Sequence, residues 1–249
     1  MTKIKRSELE KLSKEDLLVI AKEAQKIKEA SKHKRIESYW ETAHQAQLDF
    51  HKAGANYRIR YFSGGNRSGK STAGFVEDIM LSLGVHPHIK NRVPNRGYVI
   101  VQDYENAAKN ILEVKLNEWC PPDEIQKIER NQSGAIRRVT FKNGSTWDVL
   151  SHDQDMKVFE GFDGDWAHFD EPPPKNIYTA VWRGLTDRGG IMHMTATPLA
   201  SPWLFQEYKK ALEGDALRWF RFVKTTENAK NIGEGDESLG LKRIGDFSK

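Results

Sequence analysis

The stretch that most constrains this sequence is residues 63–72, which read SGGNRSGKST. Gly64 is followed five residues later by Gly69-Lys70-Ser71, which is the spacing of the phosphate-binding loop. The apolar-rich run from Tyr57 to Phe62 predicts a strand before this stretch, and Ala73 to Leu83 predict a helix after it. A strand, a Gly-rich loop and a helix in this order form the context that the motif requires.

The residue types of the loop fit anion binding, although a plain Gly-rich turn is the alternative. Glycines permit a tight turn, so that successive backbone N–H groups can point at one phosphate beside the positive end of a helix. Lys70 can reach β- and γ-phosphates, and the Ser71 hydroxyl can ligate Mg²⁺. The predicted nucleotide-binding residues of the loop are Gly64, Gly65, Asn66, Arg67, Ser68, Gly69, Lys70, Ser71 and Thr72.

A second candidate element is the mostly apolar run from Trp166 to Glu171, which ends in two adjacent acids. Adjacent residues at a strand end point to opposite sides, so the two carboxylates can take different roles. In P-loop enzymes the first acid, here Asp170, holds Mg²⁺, and the second, here Glu171, polarises the attacking water as general base. A surface Asp-Glu pair is common, but this pair ends an apolar strand about a hundred residues after the loop.

A third element is the run from Ile191 to Pro198, which predicts a strand ending in small hydroxyl residues. Thr195 and Thr197 could sense the γ-phosphate of a bound nucleotide and transmit its loss. The alternative is a Thr-rich strand end followed by a turn.

Glutamines upstream of the loop are candidates for reading the base. In several P-loop motor families a Gln about twenty residues before the loop reads adenine, because a neutral amide both donates and accepts hydrogen bonds. Gln47 is the better placed candidate and Gln45 the second, and a surface glutamine is the alternative. The predicted cofactors are therefore ATP and Mg²⁺.

Strands that alternate with helices predict an α/β fold with a mainly parallel central sheet flanked by helices. Asn143-Gly144 between two strand-like runs predicts a hairpin within it. We expect an N-terminal helical extension at residues 1–36, with one helix at 14–30, an ATPase domain at 37–225, and a polar linker or tail at 226–249.

Composition excludes several classes of protein. No apolar run is long enough to cross a membrane, and no signal peptide is expected. The single Cys120 cannot form an internal disulfide, which fits a reducing compartment.

Residues 1–60 hold 14 Lys and Arg against 9 Asp and Glu, which is compatible with a nucleic-acid partner or with a solvated helix face.

Taken together, Gly-Gly-Asn-Arg-Ser-Gly-Lys-Ser, Phe-Asp-Glu-Pro-Pro and Thr-Ala-Thr-Pro-Leu resemble the large terminase subunit of tailed bacteriophages, over roughly residues 40–226. The resemblance implies a P-loop NTPase of the RecA-like (ASCE) type, which packages double-stranded DNA into a procapsid in the host cytoplasm. The implied partners are double-stranded DNA, the small terminase subunit, the portal protein and further copies of the chain. The family usually works as a ring of five subunits, whereas the isolated chain could be monomeric.

The resemblance also assigns roles to residues. It implies that Arg67, Lys70 and Glu171 are catalytic and that Arg67 tracks the γ-phosphate. It also implies that Ser71 and Asp170 are associated with the metal. Thr195 to Thr197 match the family's coupling motif, and Gln47 matches its adenine-reading glutamine.

The sequence departs from the family in two respects. Large terminases usually carry a C-terminal nuclease, but the late acids here, such as Glu234 and Asp236, lie in a Gly-rich tail, so we expect no nuclease activity from this chain. Some members place an arginine finger before a Gly ahead of the acidic strand, where this chain has Glu160. The candidates for a finger at other positions are Lys157, Arg137, Arg138, Arg183 and Arg188.

Two other functions use the same features. A DEAD-like helicase lobe also has a phosphate loop, an Asp-Glu strand and a Thr-Ala-Thr strand, but it needs a second RecA-like lobe for which this chain has no room. A nucleotide-gated scaffold without catalysis would not need both Lys70 and Glu171.

Overall fold

The computed structural model describes residues 35–197 and 201–228, together with Lys22, which is helical. Residues 35–42 are also helical. The α-helices that follow are α1 (Gln45–Ala53), α2 (Lys70–Leu83), α3 (Glu113–Trp119), α4 (Met156–Glu160), α5 (Lys175–Thr186) and α6 (Pro202–Leu212). The strands are β1 (Ile59–Gly64), β2 (Arg96–Val101), β3 (Ile125–Arg130), β4 (Ile136–Phe141), β5 (Thr146–Ser151), β6 (Trp166–Asp170), β7 (Ile191–Ala196) and β8 (Arg218–Val223). A π-helix (Tyr104–Leu112) leads into α3, and short 3₁₀ turns lie at Pro122–Glu124 and Thr225–Asn228.

All eight strands form one sheet, in the order β3-β4-β5-β2-β6-β7-β1-β8. The six strands β5, β2, β6, β7, β1 and β8 are parallel to one another, whereas β3 and β4 are antiparallel additions beside β5. The predicted α/β architecture with a mainly parallel sheet is thereby confirmed.

Helices cover both faces of the sheet, which explains why the central strands are buried along their whole length. Val99 and Ile100 are neighbours in β2 but belong to different hydrophobic clusters, because successive side chains point to opposite faces. Phe75 of α2 lies in the cluster of Val99, and Val181 of α5 lies in the cluster of Ile100. The sheet is therefore the middle layer of a three-layer sandwich.

Strand register brings the carboxyl ends of three central strands together. Asp170 at the end of β6 is paired with Thr195 of β7, and Thr195 is paired with Phe62 of β1. The chain leaves β1 directly into the Gly-rich loop and α2. Three segments that are more than 20 residues apart in sequence thus end at one edge of one sheet.

Helix α2 is bounded by two glycines in the left-handed conformation. Gly69 precedes it with φ 81°, and Gly84 follows it with φ 71°. The N–H of Val85 donates to the carbonyl of Met80 at 3.0 Å, which closes the helix end in the pattern typical of a C-terminal glycine. The helix starts at Lys70, three residues earlier than the apolar spacing predicts.

Other local predictions have mixed outcomes. The hairpin is confirmed, with β4 and β5 antiparallel around Gly144. Strand β3 was not predicted, because Ile125–Arg130 is charge-rich and half-exposed at the sheet edge. The predicted helix at 14–30 lies outside the described residues, apart from Lys22. Among the helices that the structure describes, none combines the length and the apolar character that a membrane span requires.

Candidate active site

The Gly-rich loop needs its glycines for space as well as for backbone conformation. A Cβ atom on Gly64 would lie 2.5 Å from Val223, and one on Gly69 would lie 2.8 Å from the amide nitrogen of Gln47. Arg67 has φ 61°, a left-handed conformation that is uncommon for a residue with a side chain. Its side chain is exposed. The loop is thus closely packed on its protein side.

Lys70 is the first residue of α2 and is nearly buried. Its Nζ lies 3.7 Å from Oε1 of Glu171, so the ammonium group and the predicted general base face the same space. An ammonium group at the N-terminus of a helix adds to the partial positive charge there, which favours a bound anion.

Asp170 joins the loop to the third element. Its Oδ1 accepts hydrogen bonds from the hydroxyls of Ser71 at 3.1 Å and Thr195 at 2.8 Å. Burial holds the pKa of the Asp170 carboxyl above its ordinary value, although His168 and the two hydroxyls partly oppose this. The predicted metal-associated residues, Ser71 and Asp170, are therefore in direct contact.

Glu171 contacts other residues than Asp170 does, as expected for adjacent residues at a strand end. Its carboxylate accepts hydrogen bonds from the backbone N–H of Thr197 at 2.7 Å and from the Thr197 hydroxyl at 2.8 Å. Glu171 has φ 76°, and a non-glycine residue in this region stores strain of roughly 1–3 kcal/mol. The surrounding structure thus holds Glu171 in a costly conformation that directs its carboxylate towards Lys70 and Thr197.

The base-reading candidates are in different surroundings. Gln47 is buried, and its Nε2 donates to the carbonyl of Gly69 at 3.0 Å, while its Oε1 accepts from the N–H of His44 at 3.0 Å. A cavity of about 340 Å³ lies beside Gln47 and Gly69 and is also lined by the aromatic rings of Tyr39 and Trp119. Gln45 is exposed and bonds Asp49. Only Gln47, of these two, reaches the loop.

A buried polar chain behind Asp170 was not predicted. His168 lies between the Thr195 hydroxyl, at 2.9 Å from its Nε2, and Asp78 of α2, at 2.7 Å from its Nδ1. His193 also bonds Asp78, at 2.9 Å. Burial lowers the pKa of His168, but the Asp78 carboxylate outweighs this and raises it. The signal in the sequence is a histidine in the middle of each of two apolar strands.

The residues present fit a nucleotide with Mg²⁺. Ser71 and Asp170 place two hard oxygen ligands side by side, which is the donor chemistry that Mg²⁺ prefers. The Ser68 hydroxyl is buried and forms no hydrogen bond with the described residues, so it is available to a further group. Of the other predicted loop residues, Asn66 is exposed, and Gly65, Ser71 and Thr72 are half-buried.

Two of the candidates for an arginine finger are held in ion pairs. Arg138 binds Asp148 at 2.6 Å, and Arg188 forms two contacts with Asp163, one of them 2.7 Å long. Three others are exposed and form no ion pair with residues of the described ranges: Lys157, Arg137 and Arg183.

The chain matches no protein-family model and no curated protein sequence. The solved structures that resemble it include a large terminase from a thermophilic bacteriophage, with 13% identity, a TM-score of 0.59, and coverage of 78% of this chain and 48% of that one. The same protein in complex with ATP-gamma-S has 13% identity, a TM-score of 0.57 and coverage of 75% and 46%.

The HK97 bacteriophage large terminase is also similar, with 15% identity, a TM-score of 0.55, and coverage of 72% of this chain and 39% of that one. This chain thus spans less than half the length of each of these terminase structures. The fold and the loop define the class as a P-loop NTPase fold. Within that class, the fold is the one found in phage large terminases.

Proposed function

We propose that this chain is the ATPase part of a phage large terminase, an ATP-driven motor that moves double-stranded viral DNA into a procapsid. The observation that carries the proposal is the meeting of three sequence segments at one sheet edge. Lys70, Asp170, Glu171, Thr195 and Thr197 form one connected set of contacts there. The thermophilic phage terminase bound to ATP-gamma-S supports nucleotide binding by this fold.

In this proposal each residue has a chemical role. The loop N–H groups and Lys70 would bind the phosphates, and Ser71 and Asp170 would hold Mg²⁺, which would supply positive charge beside the transferring phosphoryl group. Glu171 accepts a proton from the attacking water, and Thr197 fixes the orientation of its carboxylate. Gln47 beside the cavity would read adenine, and Arg67 would follow the γ-phosphate.

Coupling to DNA would start at the coupling motif. Thr195 bonds Asp170, and Thr197 bonds Glu171, so a change at either acid reaches the segment after β7. We expect the DNA grip to act mainly on phosphates, and hence to depend on salt more than on sequence. The portal, the small terminase subunit, a ring of copies and a location in the host cytoplasm belong to the same proposal.

Steady-state hydrolysis of Mg·ATP by the purified chain, with and without double-stranded DNA, tests the proposal. We expect hydrolysis that Lys70→Ala abolishes and that a matched change, Lys209→Ala on the exposed face of α6, leaves intact. A chain that hydrolyses no ATP with DNA present, at any protein concentration tested, contradicts the ATPase assignment. If single-stranded nucleic acid alone stimulates the rate, the helicase alternative is favoured.

A finger supplied by a neighbouring copy would make the rate per chain increase with protein concentration. Arg183→Ala, Arg137→Ala and Lys157→Ala are the variants to compare, because these side chains are exposed and unpaired within the described ranges. The expected lack of nuclease activity stays a prediction, since the late acids fall outside the described residues. Cleavage of plasmid DNA in Mn²⁺ would show that it is wrong.

A further inference from the structure

Four successive carbonyl groups of the phosphate loop, those of residues 66–69, each accept a hydrogen bond from a side chain outside the loop. Thr225 Oγ1 donates to the carbonyl of Asn66 at 3.0 Å, and Asn228 Nδ2 donates to that of Arg67 at 2.8 Å. The ring of His44, through Nε2, bonds the carbonyl of Ser68 at 3.0 Å. The fourth bond is the one from Gln47 to Gly69.

These hydrogen bonds fix the orientation of the loop N–H groups as well as that of the carbonyl groups. A trans peptide is planar, so its C=O and the N–H of the next residue point in opposite directions. Carbonyls of residues 66–69 that are held towards the protein therefore turn the N–H groups of residues 67–70 the other way. Of these N–H groups, Ser68 also makes a long 3.4 Å bond to Gly65. Consecutive N–H groups on one side of a loop are what binds a phosphate.

The four donors come from two distant parts of the chain. His44 and Gln47 lie at the start of α1 and are linked to one another, since the N–H of His44 donates to Gln47 Oε1. Thr225 and Asn228 lie in the short 3₁₀ turn after β8. The loop is thus held by residues that precede β1 and by residues that follow β8.

The 3₁₀ turn is itself anchored. Glu227 accepts a hydrogen bond from the N–H of Lys224 at 2.9 Å and from the Arg221 guanidinium at 3.0 Å. Asn228 is buried, and a Cβ on Gly65 would lie only 3.1 Å from Thr225 Oγ1. These residues stand at the border of the segment that the sequence predicts to be a polar linker, but here they pack on the loop.

We propose that His44, Gln47, Thr225 and Asn228 are positioning residues that pre-shape the loop for phosphate, independently of the base. The inference rests on the proposed function, because it assumes that the loop binds the phosphates of a nucleotide. It gives Gln47 a role in ordering the loop in addition to any contact with adenine. It also makes phosphate binding depend on residues 225–228, which follow the last strand.

The test compares ligands with and without a base. The dissociation constants of Mg·ATP, Mg·GTP and Mg·tripolyphosphate are measured by calorimetry for the full chain, for Thr225→Val and for Asn228→Ala. A lost hydrogen bond of this kind is worth about 1 kcal/mol, so we expect each variant to bind all three ligands roughly fivefold more weakly, by a similar factor. The matched controls are Thr186→Val and Asn176→Ala, exposed residues of α5, and they should bind as the unmodified chain does.

Two further variants keep the result interpretable. Thr225→Ser retains the hydroxyl and should restore binding, which separates the bond from general damage to the fold. Gln47→Ala should weaken tripolyphosphate binding as well as ATP binding.

Unchanged binding of tripolyphosphate by both Thr225→Val and Asn228→Ala overturns the inference, whatever happens to ATP. If the unmodified chain binds neither ATP nor tripolyphosphate, the proposed function fails instead, so the two failures can be told apart.

Discussion

Thr197 holds the carboxylate of Glu171 through two hydrogen bonds, one from its backbone N–H at 2.7 Å and one from its hydroxyl at 2.8 Å. One bond to each oxygen fixes the plane of the carboxylate, and the left-handed φ of Glu171 directs it towards Lys70. Strain kept in place by the surrounding contacts is a common feature of catalytic positions. This relationship links the residue that follows β6 to the residue that follows β7.

Replacing Glu171 by Gln should separate binding from chemistry. The amide keeps the shape and can still accept from Thr197, but it cannot take a proton from water. We expect the dissociation constant of Mg·ATP to change by less than about threefold and kcat to fall roughly 10²- to 10⁴-fold. Glu213→Gln, at the exposed end of α6, is the matched control. A kcat within a few fold of the unmodified value would show that Glu171 is not the base.

Replacing Thr197 by Val removes only one of the two bonds that orient Glu171, because the backbone N–H remains. A hydrogen bond to a charged group is worth about 1.5–3 kcal/mol, so we expect kcat to fall roughly tenfold or more while KM stays nearly constant. Thr179→Val, whose hydroxyl bonds a carbonyl of its own helix, is the control. A change confined to KM would indicate that Thr197 contributes to binding rather than to orientation.

Removal of the metal should stop hydrolysis, and Asp170 should set how much metal is needed. Asp170→Asn keeps the bonds to Ser71 and Thr195 possible but removes the negative charge. We expect the Mg²⁺ concentration for half-maximal activity to rise at least tenfold, and EDTA to abolish the activity of the unmodified chain. If the Mg²⁺ dependence of the variant and of the unmodified chain coincide, Asp170 is not associated with the metal.

Stability should decrease in acid because of His152. Burial lowers the pKa of His152 to about 4, although Asp153 and Asp103 partly oppose this. Below the unfolded-state pKa of about 6.5, the unfolded chain binds a proton that the folded chain does not. The free energy of unfolding should therefore fall between about pH 6.5 and pH 4.

Chemical denaturation at a series of pH values checks this. His152→Gln should flatten the decrease in that interval, and His88→Gln, at an exposed loop position, should flatten it less. An identical pH profile for His152→Gln and the unmodified chain would contradict the account.

Local sequence patterns were sufficient to predict much of the fold. The structure places β1 at Ile59–Gly64 and α2 at Lys70–Leu83, close to the strand and the helix that the apolar pattern predicts on either side of the loop. Strand β3 was not predicted because an edge strand needs no continuous apolar pattern, and Ile125–Arg130 is mostly polar.

The site residues were predicted from their sequence motifs, whereas the buried residues that hold the site in place were not. Asp170, Glu171 and Thr195 stand next to recognisable neighbours in the sequence. Asp78 and Asn228 do not, since their partners lie 90 and 161 residues away in the chain. Contacts over such separations depend on strand order, which the sequence pattern does not specify.

A structure of the chain with Mg²⁺ and ATP-gamma-S tests the central claim most directly. We predict that the phosphates lie against the N–H groups of residues 67–70, with Mg²⁺ at Ser71 Oγ and with Glu171 facing the γ-phosphate. A nucleotide bound elsewhere on the molecule, or a triphosphate that contacts neither Lys70 nor Ser71, would contradict the assignment of this sheet edge as the active site.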